Sequence, residues 1–385
     1  MKKILFLIND NISSNARSLY EIYSLAKSGH QIVIFCDKFQ PKIKFLKQKN
    51  IKIIVKKSHN SFINKFLWYL FLIDYDWLNF LKQKQINREY DIIHIQNNYL
   101  FKTVYKLINK KKIVLDIHDS LPESFISWNN DKNPFLRLFY ILFANLKRLR
   151  NYERWSIEKS LLTLVTTLES KKKILSFYSN SYNKKTYVVE NLETLFFQKK
   201  FKSKLKKSSN RRIIYFGGFA PHRGLETVIE CSKLPIMQKI EFLLIGALNN
   251  NYSKKIEKNK SKNLKILKRI DLKKLKKFTN INTIGIVPHT KNMHTNTTIP
   301  YKLSQYMSLG IPQIVSNCKP LTRTLKKSKS GLIFKSGDAN DLKKRILKMN
   351  QTNLFKFRFN SLKYFKKHNW DKSEHFKIQN IYEKL

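Results

Sequence analysis

The sequence is poor in acidic residues and in cysteine. Of its 385 residues, 26 are Asp or Glu and 76 are Lys or Arg, which gives a formal net charge of +50. The three cysteines, Cys36, Cys231 and Cys318, lie far apart, so they show neither a disulfide framework nor a zinc-binding spacing. We expect three buried thiols.

Long apolar runs are missing as well. The longest purely apolar stretch, residues 66–73, stops at Asp74 and is far shorter than the roughly 20 residues that cross a bilayer. At the amino terminus, Asn9 and Asp10 interrupt what would be the apolar core of a signal peptide. We therefore expect a cytoplasmic protein.

The excess of positive charge has two explanations, and composition does not separate them. Lysine greatly exceeds arginine, and asparagine, isoleucine and phenylalanine are plentiful, as in proteins encoded by AT-rich genomes. A surface of this charge is also attracted to polyanions, whether nucleic acid or anionic lipid. The charge therefore favours polyanionic partners but does not identify which polyanion binds.

Short apolar strands alternate with helical stretches along both halves of the chain. In the first half the pattern predicts strands at residues 3–8, 31–36, 51–55, 91–95, 112–118, 161–166 and 186–190. In the second half it predicts strands at residues 213–216, 241–245, 264–267, 281–287, 311–316 and 331–334. This alternation is typical of α/β domains built on doubly wound parallel sheets.

The pattern also suggests where the domains divide. We predict an N-terminal domain at 1–195, a lysine-rich linker at 196–210 and a C-terminal domain at 211–365. The remaining residues, 366–385, are predicted to form a helix that packs back on the first domain.

The stretch RRIIYFGGFAPHRGLETVIECSKLPIMQKIEFLLIG, residues 211–246, reads as strand, glycine turn, helix and strand. A parallel unit of this kind places its first loop at the carboxyl end of the sheet, where such sheets bind ligands. Gly217, Gly218 and Arg223, beside a helix N-terminus, suit a diphosphate. The alternative is an ordinary turn with a solvated arginine, because short glycine motifs are weak signals.

A second local signal is IPYKLSQYMSLGIPQIVS, residues 299–316. Pro300 is typical of a helix start and Gly310 of a helix end, and Lys302 and Gln305 lie three residues apart on one face. That face would place an amine and an amide beside a nucleotide. An ordinary amphipathic helix is the alternative.

Two aromatic segments, residues 60–85 and 133–155, carry lysine or arginine at helical spacing. Either segment fits a helix lying on a membrane surface, with its rings at the interface and its cations on the headgroups. Each also fits a helix that packs in the core and exposes a basic face.

Four motifs together resemble those of GT-B glycosyltransferases, in the retaining group called glycosyltransferase family 4. They are SNARSLYEIYSLAKSGHQIVIF, IVLDIHDSLPE, YFGGFAPHRGLETVIE followed by FLLIG, and PYKLSQYMSLGIPQIVS followed by GLIF. VVENLE, with Asn191, is a weaker fifth. The motifs occur in the family's order across almost the whole chain. The resemblance implies two Rossmann-like domains that face a central cleft.

The resemblance also implies roles for individual residues. A nucleotide-diphosphate sugar would bind the second domain through Gly217, Gly218, Arg223, Thr297, Thr298, Lys302 and Gln305. The acceptor side of the first domain would include Asn11, Ser14, Arg17, Asp116, Asp119 and Glu123. The catalytic residues would be His118, Arg223 and Lys302. A histidine at a strand end is otherwise most often structural.

The chain departs from the family pattern in three places. Thr297 and Gln305 stand where the family often has paired glutamates eight residues apart, and an amide carries no charge. Gly218 stands where a basic residue is frequent. The first loop lacks a glycine pair, although Asn11, Ser13 and Ser14 offer donors there.

The function that the resemblance implies is transfer of a sugar, with retention, to a glycan or lipid-linked glycan in cell-envelope polysaccharide, lipopolysaccharide or capsule assembly. No metal or cofactor is expected. The enzyme would contact the anionic inner face of the plasma membrane peripherally. One rival is a catalytically degenerate GT-B protein that acts as a partner subunit. A nucleic-acid-binding protein is less favoured, because the basic residues are spread along the chain.

Overall fold

The computed structural model describes residues 1–40, 43–57, 62–86, 90–108, 112–129, 145–201, 210–270 and 272–385. These residues form two compact units. The first unit lies within Met1–Ile126, Lys132–Glu190 and Glu374–Leu385. The second unit lies within Ser127–Asp131 and Asn191–Ser373.

A parallel sheet forms the centre of the first unit. Its strand order is β3-β2-β1-β4-β5-β6-β7, and each pair that the structure describes is parallel. The strands are β1 (Lys3–Asn11), β2 (Gln31–Lys38), β3 (Ile51–Val55), β4 (Ile92–Gln96), β5 (Ile113–Ile117), β6 (Leu162–Val165) and β7 (Thr186–Val188). β4 and β5 are buried along their whole length, as expected when helices cover both faces of a parallel sheet.

Helices connect these strands. Before Glu190 they are α1 (Ala16–Lys27), α2 (Phe62–Phe71), α3 (Tyr75–Gln83), α4 (Phe101–Tyr105), α5 (Leu121–Asn129), α6 (Leu146–Lys159) and α7 (Leu168–Phe177). None of the helices in the described ranges is long and apolar enough to cross a membrane.

The aromatic segment at 60–85 forms two helices, α2 and α3. The first of these helices, α2, ends just before Leu72, whose φ is 56°. The Asp74 side chain then caps α3 by accepting a hydrogen bond from the Trp77 N–H. Trp68 and Trp77 lie in the core of the unit. Packing in the core therefore explains why the inner faces of both helices are aromatic and aliphatic.

The second aromatic segment is described only in part, because residues 133–144 lie outside the described residues. The part from 145 onward contributes most of α6, whose Leu149 and Tyr152 join the same core as Trp68. This part of the segment packs inside the first unit.

The second unit is built on a second parallel sheet, with strand order β10-β9-β8-β11-β12-β13. Its strands are β8 (Arg212–Phe216), β9 (Glu241–Ala247), β10 (Leu264–Lys268), β11 (Thr283–Val287), β12 (Gln313–Ser316) and β13 (Gly331–Phe334). Its helices are α8 (Leu195–Phe201), α9 (Leu225–Lys233), α10 (Asn251–Lys258), α11 (Tyr301–Ser308), α12 (Lys319–Ser328), α13 (Ala339–Leu347) and α14 (Gln351–Lys367).

Alternate residues of β8 enter two different cores. Ile213 and Tyr215 pack in one apolar cluster, whereas Ile214 and Phe216 pack in another. Because side chains alternate across a strand, the two clusters lie on opposite faces of the sheet. The prediction of two α/β domains with parallel sheets is confirmed.

The structure differs from the sequence pattern near the predicted linker. Residues Leu195–Phe201 form α8, and Phe197 is buried at 6% exposure. The many lysines of this segment predict a linker, although Phe197 packs in the interior. Residues 202–209 lie outside the described residues.

The last helix, α15 (Glu374–Glu383), belongs to the first unit. Its Tyr382 is fully buried, and its hydroxyl lies 2.5 Å from Nδ1 of His94 on β4. Lys2 donates a hydrogen bond from Nζ to the Tyr382 carbonyl (2.7 Å). The three cysteines are buried and free.

Candidate functional site

In the turn after β8, the backbone of Gly217 lies close to the amine of Lys302. The Gly217 N–H donates to the Ile245 carbonyl (2.9 Å), and the Gly217 φ of 135° is one that side chains rarely adopt. A Cβ on Gly217 would lie 2.8 Å from Nζ of Lys302, and one on Gly246 would lie 2.2 Å from the Gly217 carbonyl oxygen. Only glycine allows this packing.

Arg223 ends a short 3-10 turn, Pro221–Arg223, at the start of α9. Gly224 follows with φ of 64°, and a Cβ there would lie 2.1 Å from the Pro288 carbonyl oxygen. Thr290 N–H donates to the His222 carbonyl (3.1 Å). The turn that carries Arg223 is therefore packed closely against the segment after β11.

That segment places His289 against Arg223. Nη1 of Arg223 lies 3.0 Å from Nε2 of His289, and His289 is only 1% exposed. Burial lowers the pKa of His289 well below its ordinary value, and the charges of Arg223 and Lys302 lower it further. The imidazole is thus neutral and accepts the hydrogen bond from the guanidinium.

His222 has the same electrostatic environment. Burial and then the charge of Arg223 lower the pKa of His222 to about 2. Its ring meets that of His294 edge to face, at 5.0 Å between centroids. The neutral rings of His222 and His289 add no positive charge beside Arg223.

Lys302, on α11, is a buried amine. It is 6% exposed, and its Nζ has no hydrogen-bond partner among the residues that the structure describes. Its Nζ lies 3.5 Å from the centroid of the Tyr215 ring, within cation–π distance when the amine is protonated. Burial lowers the pKa of Lys302 well below its ordinary value, and Arg223 lowers it further.

The chemistry of these features is suited to an anion. A buried amine without a hydrogen-bond partner is costly unless a ligand compensates it. Gly224, the N-cap residue of α9, makes no side-chain capping hydrogen bond, so the helix N-terminus offers N–H donors beyond Leu225. A glycine turn, a guanidinium, an amine and a helix N-terminus suit a phosphate or diphosphate.

The other residues predicted for this side of the site differ in exposure. Gly218 is exposed, and Thr298 and Gln305 are half-buried. Gln305 donates from Nε2 to Oε2 of Glu193 (3.0 Å). Thr297 is 4% exposed, and its hydroxyl lies 3.0 Å from the carbonyl oxygens of Met293 and His294.

The position of Thr297 differs from the sequence expectation of a residue facing a sugar. A threonine hydroxyl in a turn readily bonds to a nearby backbone carbonyl. The Thr297 hydroxyl makes such contacts with the Met293 and His294 carbonyls.

In the first unit, Arg17 and Asp116 form a buried ion pair beneath the end of β5. The Arg17 guanidinium lies 2.7 to 3.1 Å from the Asp116 oxygens and 2.5 Å from the Val189 carbonyl oxygen. Asp116 is fully buried and Arg17 is 2% exposed. We expected both to border an acceptor, but the structure pairs them with each other inside the unit.

His118 lies above this pair. Its Nε2 is 2.6 Å from Oδ2 of Asp116, its Nδ1 is 3.5 Å from the Gln96 amide nitrogen, and its side chain is 15% exposed. Burial alone would raise the pKa of Asp116, but Arg17 and His118 outweigh it and hold that pKa well below the usual range. Asp116 thus orients the imidazole through Nε2.

Two acidic residues and two polar residues of the predicted acceptor side have other positions. Glu123 is 5% exposed and forms ion pairs with Arg150 (2.7 Å) and Lys173 (3.6 Å), so it is not open to a ligand. Asp119 and Ser14 are exposed, and Asn11 is half-buried. Asn11 uses its side-chain oxygen to accept the Ser13 N–H (3.0 Å).

Sequence reasoning missed three neighbours of these residues. Glu21 lies 3.2 Å from the Arg17 guanidinium, one helical turn away on α1. His289 and Glu193 contact Arg223 and Gln305, respectively. The spacing of Arg17 and Glu21 was a usable signal, whereas the other two contacts join residues far apart in sequence.

Within the described residues, Glu21, Asp116 and His118 have potential metal-ligand atoms within 4.8 Å of one another. The donor set does not fit a cation, because the Arg17 guanidinium already lies against both carboxylates. Burial and the charge of Asp116 also raise the pKa of Glu21 well above its ordinary value, which favours the neutral acid.

Residues 196–367 match the family model described as glycosyl transferases group 1. The chain is similar in fold to sucrose-phosphate synthase from Thermosynechococcus elongatus, with TM-score 0.76 and 16% identity over 100% of this chain and 99% of that one. It is also similar to Anabaena HepE in complex with UDP-glucose, with TM-score 0.74 and 13% identity over 100% of both chains.

A third similar structure is WaaG, a glycosyltransferase involved in lipopolysaccharide biosynthesis. Its TM-score is 0.69 at 11% identity, over 98% of this chain and 99% of that one. No curated protein matches the sequence. The resemblance to GT-B glycosyltransferases is confirmed by the family match and by the fold.

Proposed function

We propose that this chain is a family 4 glycosyltransferase that transfers a sugar from a nucleotide diphosphate to an acceptor hydroxyl, with retention and without a metal. The observation that carries the proposal is the buried Lys302 amine, which has no hydrogen-bond partner in the described ranges and lies beside the glycine turn. The donor diphosphate would supply its counter-charge. HepE, of similar fold, binds UDP-glucose, which supports a nucleotide-sugar donor.

The reaction breaks the bond between the anomeric carbon and the β-phosphate oxygen. The new bond to the acceptor oxygen forms on the same face, and the acceptor proton passes to the departing phosphate. Arg223, Lys302 and the N–H groups of α9 would stabilise the charge that grows on this phosphate more strongly in the transition state than before it.

Gly217 and Gly218 would form the loop beneath the diphosphate, and Thr298 and Gln305 would lie near the sugar and ribose. In the first unit, we propose that His118 contacts the transferred sugar near the acceptor. Its partial exposure of 15% and its fixed orientation on Asp116 support this role. Asp119, Ser14 and Asn11 are the remaining candidates to contact the acceptor.

Ligand screening tests the donor class. UDP, GDP, ADP and their sugars should be compared by thermal stabilisation, because a ligand at a hundred times its dissociation constant adds about 2.7 kcal/mol to the free energy of unfolding. We expect Arg223→Ala and Lys302→Met to lose this stabilisation. Lys327→Met, an exposed lysine on α12, is the control and should retain it.

The burial of Thr297 and the amide of Gln305 favour the alternative, a catalytically degenerate partner subunit. An assay for turnover distinguishes this alternative from an active enzyme. Release of nucleotide diphosphate from the donor sugar should depend on Arg223 and His118. Stabilisation by nucleotide without any release, with acceptors of the cell envelope present, would support the partner subunit.

We further propose peripheral contact with anionic membrane in cell-envelope polysaccharide, lipopolysaccharide or capsule assembly, with a glycan or lipid-linked glycan as acceptor. The outer face of α2 supports this, because Ile63 is 67% exposed, Phe66 is 36% exposed and Lys65 lies between them.

Flotation with anionic and neutral vesicles tests the contact. The double variant Ile63→Ser and Phe66→Ser should lose binding to anionic vesicles. The control is Phe376→Ser on α15, which changes another exposed ring in the same unit (56% exposed) and should leave binding unchanged. Equal binding by both variants and the wild type would exclude α2 as the membrane contact.

A further inference from the structure

Gln305 is hydrogen-bonded to a carboxylate far from it in sequence. Its Nε2 donates to Oε2 of Glu193 (3.0 Å), a residue 112 positions earlier in the chain. Both residues belong to the second unit. Glu193 is 1% exposed, whereas Gln305 is half-buried.

Glu193 is held in place by its backbone as well as by its side chain. Its N–H donates to Oγ of Ser304 (2.9 Å), and its carbonyl accepts from the Trp370 N–H (3.0 Å). Its Oε1 accepts from the Thr194 N–H (3.1 Å). Because both carboxylate oxygens accept hydrogen bonds, the position of the acid is defined beside α11.

This contact determines which end of the Gln305 amide is available to a ligand. An amide has a donor end and an acceptor end of nearly equal shape, and an ionised carboxylate only accepts. The –NH₂ end of Gln305 must therefore face Glu193. The opposite end, Oε1, is left as an acceptor, and the Glu193 carboxylate group lies behind the amide.

We propose that Glu193 is a positioning residue that makes Gln305 an obligate acceptor for a ribose hydroxyl of the nucleotide. The inference rests on the proposed function, in which Gln305 lies beside the ribose.

The test is discrimination between ribose and deoxyribose. Affinities of the full chain for UDP, 2′-deoxy-UDP and 3′-deoxy-UDP are measured by titration calorimetry, with the ADP and GDP series in parallel. The wild type should prefer the ribonucleotide over one deoxy form by about tenfold, the value of one hydrogen bond. Glu193→Gln should lose this preference, because its amide can either donate or accept and lets Gln305 rotate.

A second test exchanges the acid and the amide between the two positions. Gln305→Glu alone places two carboxylates together and should also lose the preference. The double variant Glu193→Gln with Gln305→Glu restores one acid and one amide, and should recover the preference even if Glu193→Gln is too unstable to measure. Glu230→Gln, an exposed acid on α9, is the control and should behave as the wild type.

The outcomes distinguish this inference from the proposed function. If the wild type binds none of the nucleotides, the proposed function fails and the inference fails with it. If the wild type binds a nucleotide but does not discriminate ribose, or if Glu193→Gln keeps the discrimination, only the role of Glu193 is overturned. A purely structural role would lower the melting temperature and leave the ratio of affinities unchanged.

Discussion

His289 accepts a hydrogen bond from Arg223 at 3.0 Å and remains neutral as it does so. Burial, followed by the charges of Arg223 and Lys302, holds the pKa of His289 well below its ordinary value. At near-neutral pH the ring therefore keeps the Nε2 lone pair that the guanidinium needs. His289 fixes the direction of Arg223 without adding charge.

Replacing His289 tests this relationship. His289→Leu should weaken nucleotide diphosphate binding by about tenfold, because the guanidinium loses a hydrogen bond that orients it. His289→Gln keeps an acceptor near the position of Nε2 and should recover most of the affinity. Titration calorimetry measures both variants. Equal weakening in the two would indicate a packing role.

The buried amine of Lys302 should make the free protein less stable. Lys302→Met removes an amine without a hydrogen-bond partner in the described residues and keeps most of the side-chain volume, so we expect a higher melting temperature. The same variant should lose nucleotide binding. A structural lysine would give the opposite result, a lower melting temperature.

The stabilising effect of Lys302→Met should depend on pH. The pKa of Lys302 is lowered in the folded chain, so the unfolded chain binds more protons and the wild type gains stability as pH rises. The advantage of the variant should therefore shrink as pH approaches the ordinary lysine value of about 10.4. Chemical denaturation over a pH series measures this change.

Nucleotide binding should be linked to proton uptake at Lys302. A bound diphosphate favours the ammonium form and raises the lowered pKa, so affinity should fall as pH rises through the value of the free protein. Calorimetry in buffers of different ionisation enthalpy measures the protons bound. The wild type should show uptake that Lys302→Met lacks, and identical heats in all buffers would contradict the linkage.

Two adjacent glycines should respond differently to alanine. Gly217→Ala places a Cβ 2.8 Å from Nζ of Lys302 at a φ of 135°, and should displace the amine and cost on the order of 1–3 kcal/mol of stability. At Gly218 the nearest atom would be 3.9 Å away. Gly218→Ala is therefore the matched control for stability, and the melting temperature should fall only in Gly217→Ala.

The raised pKa of Glu21 leads to a further prediction. Burial and the charge of Asp116 raise the pKa of Glu21 in the folded chain, so stability is lost as pH rises above the ordinary glutamate value. Glu21→Gln mimics the neutral acid and should be more stable than the wild type at neutral pH, because the amide has no proton to lose. The two proteins should converge in stability in acid. Urea denaturation at acidic and neutral pH measures the difference.

The sequence predicts the sheets and the glycine turn after β8 because their signals are local. Strand, glycine turn and helix follow one another within residues 211–246, and the observed β8, Gly217 and α9 occupy that order. Lys302 was predicted from its place on a helix between Pro300 and Gly310. The burial of Lys302 was not predicted, because lysines are usually exposed and only the fold brings Tyr215 against this side chain.

Side-chain partners were harder to predict than backbone structure. Arg17 and Asp116 are 99 residues apart, and two opposite charges in a sequence do not indicate that they will pair. One signal was present, because Asp116 lies within the apolar strand KIVLDIH, and a charged residue in a buried strand requires a partner. The contact between Gln305 and Glu193 had no such local sign.

The burial of Tyr382 against His94 has a consequence for the order of events during synthesis. The ribosome completes all of β1–β7 long before it makes α15, yet α15 belongs to the same unit as those strands. Until α15 has been made, the part of the first unit around His94 lacks the Tyr382 side chain that lies against it in the folded chain. The first unit is therefore complete only after all of Asn191–Ser373 in the second unit has been translated.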